Sequence, residues 1–122
     1  MASIITLPTL SDNRGSLTVI EKILPFQIKR VYYIYDTHKN ILRGGHRHKE
    51  ATQAIICLSG ECEIFYKNNL EEKTICLTSP TECMVLQPED WHTMKPNLDK
   101  SILLILSSHE YDASDYVYEE YK

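Results

Sequence analysis

No apolar run in these 122 residues approaches the ~20 needed to cross a bilayer. The opening MASIITLPTL lacks a basic stretch ahead of a long apolar one, so no secretory signal is expected. Both absences predict a cytoplasmic chain with no membrane partner. Cys-x-x-Cys spacing is also missing. Cys57, Cys62, Cys76 and Cys83 are scattered, three of them inside apolar runs. That usage predicts buried free thiols in a reducing compartment, not disulfides or a zinc knuckle. With four glycines there is no glycine-rich dinucleotide loop. Repeats, low-complexity tracts and linkers are lacking as well, so residues 1–122 read as one domain.

What is present is ordinary for a folded protein, at 43% hydrophobic and 25% charged residues. The 13 Lys+Arg and 17 Asp+Glu give a net charge of −4, against the basic balance of a nucleic-acid binder. The charge is unevenly placed. Residues 1–50 hold eight basic and four acidic side chains, whereas residues 51–122 hold five and thirteen. Arg14, Lys29, Arg30, Arg43, Arg47 and Lys49 crowd the basic half, which suits either a small anionic ligand or a solvated basic face.

Segments rich in Val, Ile, Tyr and Thr recur between turn residues. They predict strands near 16–21, 27–35, 46–58, 61–67, 72–77, 82–87 and 101–107, punctuated by Asn13–Gly15, Gly44–Gly45, Ser59–Gly60 and Pro88–Asp90. Residues 61–67 alternate as a half-buried strand does. The runs 54–58 (AIICL) and 102–106 (ILLIL) suit strands covered on both sides. A helix is suggested only in the acidic end DASDYVYEEY. Many short antiparallel strands without crossover helices predict an all-β sandwich or barrel, with a jelly roll as one solution.

Chemistry concentrates in Arg43-Gly-Gly-His-Arg-His-Lys49. In a strand, side chains two apart share a face, so His46 and His48 point together and Arg47 points away. Two imidazoles in one pocket could bind a metal or move protons near neutral pH; on the surface they would do neither. Gln53, Gly60 and the run Pro88-Glu-Asp-Trp-His92 follow. This spacing resembles the cupin superfamily, whose motifs read G…HxH…E…G and P…H. The resemblance implies His46, His48, Gln53 and His92 as the metal-ligand positions, but a neutral amide stands where metal-binding cupins have a carboxylate. Three histidines could still hold zinc or iron.

A closer resemblance covers nearly the whole chain. The blocks SDNRGSLTVIE (11–21), IKRVYYIYD (28–36), RGGHRHK (43–49), QAIICLSGECEI (53–64), LQPEDWHTM (86–94) and LLILSSHEYDASDYVYE (103–119) are similar to the dTDP-sugar 3,4-ketoisomerases. These are small cupins working without metal or other cofactor, usually as homodimers with exchanged N-terminal strands. Arg47 departs from the pattern, which more often has a small residue there. The resemblance implies isomerisation of dTDP-4-keto-6-deoxyglucose through an enediolate. It implies His48 as the base at C3 and His46 as the second proton-transfer group, roles that could be exchanged. It also places Tyr35 and Arg43 near the substrate, hydrogen-bonding the enediolate or orienting the diphosphate; an arginine supplies charge and orientation, not a proton.

Arg14 and His92 resemble residues near the sugar in members making the galacto product. Further substrate contacts are expected from Lys29 (or Arg30, on the other face), Gln53, which would fix an imidazole tautomer, and Trp91, whose ring could face the thymine. Two other functions stand beside this one: a metal-dependent cupin enzyme using His46, His48 and His92, and a non-catalytic nucleotide-sugar-binding domain.

Overall fold

The computed structural model describes residues 2–122. Its strands are β1 (Ser3–Thr6), β2 (Thr9–Asp12), β3 (Gly15–Thr18), β4 (Arg30–Ile34), β5 (Arg43–His48), β6 (Gln53–Ser59), β7 (Cys62–Lys67), β8 (Glu72–Leu77), β9 (Glu82–Leu86), β10 (Trp91–Pro96), β11 (Ile102–Ser107) and β12 (Tyr116–Val117). One five-stranded sheet has the order β1-β9-β6-β11-β4 and a second has β12-β5-β10-β7-β8, while β2–β3 is a separate hairpin. Every pairing is antiparallel. The all-β jelly-roll expectation holds.

Alternation along the strands builds the core. Cys62, Ile64 and Tyr66 of β7 are buried while the intervening residues are only partly so. They meet Ile55 and Cys57 of β6, Met84 and Leu86 of β9, and Leu103 and Ile105 of β11 across the sandwich. The opposite face of the first sheet is apolar too. Ala54, Ile56, Val85 and Leu106 are covered there by Ile20, Ile23, Leu24 and Phe26, which explains why β6 reads as a continuous apolar run. Cys57, Cys62 and Cys83 are free and buried, as expected, while Cys76 is free and exposed.

Three sequence expectations need correction. The stretch 46–58 is two strands, because residues 49–52 leave the second sheet and cross to the first. Residues 3–6, 9–12 and 91–96, given no strand by composition, form β1, β2 and the central β10, in which His92 to Met94 pair on both sides while Trp91 and Pro96, at the strand ends, pair with β7 alone. The acidic end is not a helix. It forms a short 3₁₀ turn, Ala113–Asp115, capped by the Asp112 side chain, and then β12 pairs with β5.

Gly60 turns β6 into β7 with φ +84°, and an added Cβ would overlap the Oγ of Ser101 and meet its Cα at 3.0 Å. That serine is fully buried; its hydroxyl donates to the Leu98 carbonyl at 2.8 Å, with the Glu61 carbonyl also in reach at 3.1 Å, and accepts the Glu61 N–H. Gly60→Ala therefore combines left-handed strain with a clash against a fixed neighbour. An expected loss of about 2–4 kcal/mol is checked by urea unfolding; a loss below about 1 kcal/mol would contradict this packing.

Candidate active site

The two sheets part at β4, the edge of the first, and at β5 and β12, the edge region of the second. A cavity of about 460 Å³ opens between them, walled by Arg30, Tyr32, Tyr35, Arg43, His46 and Tyr116 among others. Arg43 reaches this wall because of a bulge. The register with β10 pairs His46 with His92 and Gly44 with Thr93, leaving Gly45 as an extra residue. In an unbroken strand Arg43, three residues before His46, would face the other way; one extra residue returns it to the same face. Gly44 (φ +88°) allows the close approach, since a Cβ there would stand 3.0 Å from the His92 carbonyl.

His46 and His48 share the inner face, as alternation predicts, with ring centroids 5.1 Å apart. His92 joins them from β10, 5.0 Å from His46 and 6.5 Å from His48. Tyr116 lies against both strand histidines, at 4.6 and 4.7 Å. Burial lowers His46 to about 4, helped by the nearby His48. For His48 burial again dominates and lowers the pKa, although Asp115 works against it. Its Nδ1 stands 2.9 Å from Asp115 Oδ2. Its Nε2 is buried without a hydrogen-bond partner, although the Gln53 amide lies near enough to favour the protonated ring. Both imidazoles are uncharged at neutral pH and able to accept a proton.

The remaining expected residues divide. Tyr35 stands at the cavity rim, 61% exposed, beside Tyr33 at 5.8 Å. Gln53 is buried near His48 but donates to the Tyr32 hydroxyl at 3.4 Å. The partner on the His48 Nδ1 is Asp115, not Gln53. Lys29 lines a different depression with His109 and Asp112. Arg30 points inward instead, 4.3 Å above the Tyr32 ring and 5.1 Å from that of Tyr111. Trp91 alternates away from His92, packs edge-on to Phe65 and donates Nε1–H to the Tyr118 carbonyl. The contact ties the C-terminal segment to β10.

Neither His92, sealed at 1% exposure beneath His46, nor His48, at 5% behind His46 and Tyr116, lines the cavity wall itself; of the three histidines only His46 does. Arg14 is 86% exposed on the β2–β3 hairpin, paired with Asp12, and away from the histidines of its own chain. Arg47 points away from the cavity as alternation requires, its guanidinium 5.3 Å from the Tyr121 ring. Asp115, Tyr116 and Tyr118 are the contributors that the sequence reading missed. Their signal was the Tyr-x-Tyr alternation at 116–118, a strand pattern hidden inside an acidic stretch. Among the described residues no three His, Cys, Asp or Glu side chains are arranged to enclose a metal ion, and no helix is long and apolar enough to cross a membrane.

Comparison with known proteins matches this architecture. The FdtA family model, described as WxcM-like, C-terminal, matches residues 1–122. A TDP-4-oxo-6-deoxy-alpha-D-glucose-3,4-oxoisomerase of Aneurinibacillus thermoaerophilus is 37% identical, the match covering 98% of this chain and 88% of that protein. The 3,4-ketoisomerase of Thermoanaerobacterium thermosaccharolyticum, solved with TDP-4-keto-6-deoxyglucose as a variant with one histidine replaced by asparagine, is 40% identical with a TM-score of 0.92, covering 97% of this chain and 87% of that one. The TDP-quinovose 3,4-ketoisomerase of Campylobacter jejuni is also 40% identical at a TM-score of 0.92, over 97% and 92%. With its jelly roll, its paired imidazoles and a family match over its whole length, the chain belongs to the FdtA, WxcM-like family of sugar 3,4-ketoisomerases within the cupin fold.

Proposed function

We propose that this chain, acting as one domain, converts TDP-4-keto-6-deoxyglucose to its 3-keto isomer. The observation that carries the reading is the pair of buried, uncharged imidazoles 5.1 Å apart, beside a cavity that also presents Arg43 and Tyr35. His48 takes the proton from C3, and the electron pair moves to the C4 carbonyl oxygen to form an enediolate. Tyr35 and Arg43 hold the developing oxyanion, an arrangement typically worth ~10²–10³ in rate for one aligned donor. The proton taken by His48 passes to the neighbouring His46, which delivers it at C4, while the C3 hydroxyl proton passes to the C4 oxygen and leaves a ketone at C3; both imidazoles end uncharged, as they began. Substrate and product are isomers, so the sequence consumes no oxidant or reductant.

The galacto configuration is the product we propose, on the resemblance at Arg14 and at His92, which would act on the sugar only through the His46 ring packed over it. Arg14 would reach the cavity from the hairpin of a second copy. Supporting that arrangement, β2–β3 hydrogen-bonds to neither sheet, Leu10 and Leu17 are 71% and 58% exposed, and β4 has a free edge carrying exposed Val31 and Tyr33. The gluco product is a second reading, favoured by the Campylobacter relative named for TDP-quinovose, a 6-deoxyglucose.

Proton NMR of TDP-4-keto-6-deoxyglucose incubated with the purified chain tests both. A 3-keto product is expected, with the coupling at H4 reporting galacto or gluco, from a species sedimenting at twice 14.2 kDa. An unchanged spectrum with ligand line broadening would instead support the binding-domain reading.

A further inference from the structure

The C-terminal segment does more than cover an edge. Asp115 closes the 3₁₀ turn and its carboxylate sits with side-chain exposure of 12% against β5. Its two oxygens have different tasks. Oδ1 accepts the backbone N–H of Lys49 at 3.1 Å and of Glu50 at 2.8 Å. Oδ2 faces Nδ1 of His48 at 2.9 Å. A carboxylate only accepts, so the hydrogen in that contact sits on the ring nitrogen. Nε2 then carries the lone pair; it is buried and makes no hydrogen bond, with the Gln53 amide the polar group near enough to favour the ring once it has taken a proton.

We propose that Asp115 is a positioning residue for the isomerisation, holding His48 as the Nδ1–H tautomer so that Nε2 keeps the lone pair that the base needs. The inference rests on the function proposed above and adds a residue outside the HxH motif. It has a specific consequence. In Asp115→Asn the side-chain oxygen stays with the two backbone N–H groups, because an NH₂ placed there would face two donors. The amide nitrogen must then occupy the Oδ2 position and donate to His48 Nδ1. His48 is driven to the Nε2–H tautomer, and Nε2 loses the lone pair that takes the proton. In Ser-His-Asp triads the same carboxylate-to-amide change leaves geometry intact and lowers kcat ~10⁴-fold.

The test uses the full chain, with long-range ¹H–¹⁵N correlation of the histidine side chains at neutral pH and steady-state kinetics on TDP-4-keto-6-deoxyglucose. The wild-type chain is expected to show His48 as Nδ1–H, and Asp115→Asn to show Nε2–H with kcat at least ~10²-fold lower and KM within a few-fold. A merely structural bracket between the turn and β5 would not move the tautomer. Nε2–H in the wild-type chain overturns the proposal without any variant. So does an Asp115→Asn chain with reversed tautomer and kcat within threefold of wild type. A wild-type chain that leaves the sugar unchanged overturns the underlying function instead, and that failure is seen before Asp115 is touched.

Discussion

Replacing His48 by asparagine is expected to lower turnover at least ~10²-fold while leaving the fold in place. The side chain is 5% exposed and touches Asp115, Tyr116 and the His46 ring, so the replacement must suit a tight polar niche. Asparagine does: its NH₂ can donate to Asp115 Oδ2 as the imidazole N–H does. What it lacks is a basic lone pair at the Nε2 position. Loss of rate without loss of structure is therefore the signature of the base, read as kcat by NMR alongside the thermal midpoint. Unchanged turnover would remove His48 from that role and pass it to His46. The pH profile of the wild-type chain carries the same information. A base must be neutral to act, and burial lowers the pKa of His48 below the ordinary 6.5 despite the nearby carboxylate. Activity is expected to persist below pH 6.5 and to fall only as pH drops through the depressed value.

Much of this site was legible because strand periodicity is simple. His46, His48 and the outward Arg47 follow from alternation alone, and Arg30 rather than Lys29 follows once Tyr32 is known to face inward. Arg43 is a different case. Plain alternation puts it on the wrong face, and only the extra residue at Gly45 corrects this, a feature set by pairing with β10. Asp115 was hidden for a related reason. Its partner lies 67 residues earlier, and a carboxylate in an acidic stretch looks solvated until the chain folds it against β5. Trp91 and His92 are adjacent in sequence, yet one anchors the tail and the other enters the core, because successive strand residues part to opposite faces.

The same burial that keeps these imidazoles neutral makes the fold sensitive to acid, and His92 is where the effect should be largest. Its ring is sealed in the sandwich, with Nδ1 donating to the Asp90 carbonyl at 3.1 Å. Burial, and then the neighbouring His46, push its pKa down to about 3. An unfolded histidine titrates near 6.5. Between those values the unfolded chain binds a proton that the folded chain refuses, so stability is complete above pH 6.5 and is lost as pH falls towards 3. For His92 alone the loss between pH 7 and pH 4 should be on the order of 3 kcal/mol, enough to unfold a marginal domain. His46, held near 4, adds in the same direction. Urea unfolding of wild type and His92→Gln at both pH values isolates the contribution. Glutamine keeps an N–H for the Asp90 carbonyl but does not titrate. The variant is expected to be less stable at pH 7 and to lose less than the wild type on going to pH 4. Equal losses in the two proteins would mean that the His92 ring is hydrated or mobile enough to take up its proton in the folded state, and the sealed arrangement beneath His46 would then be wrong.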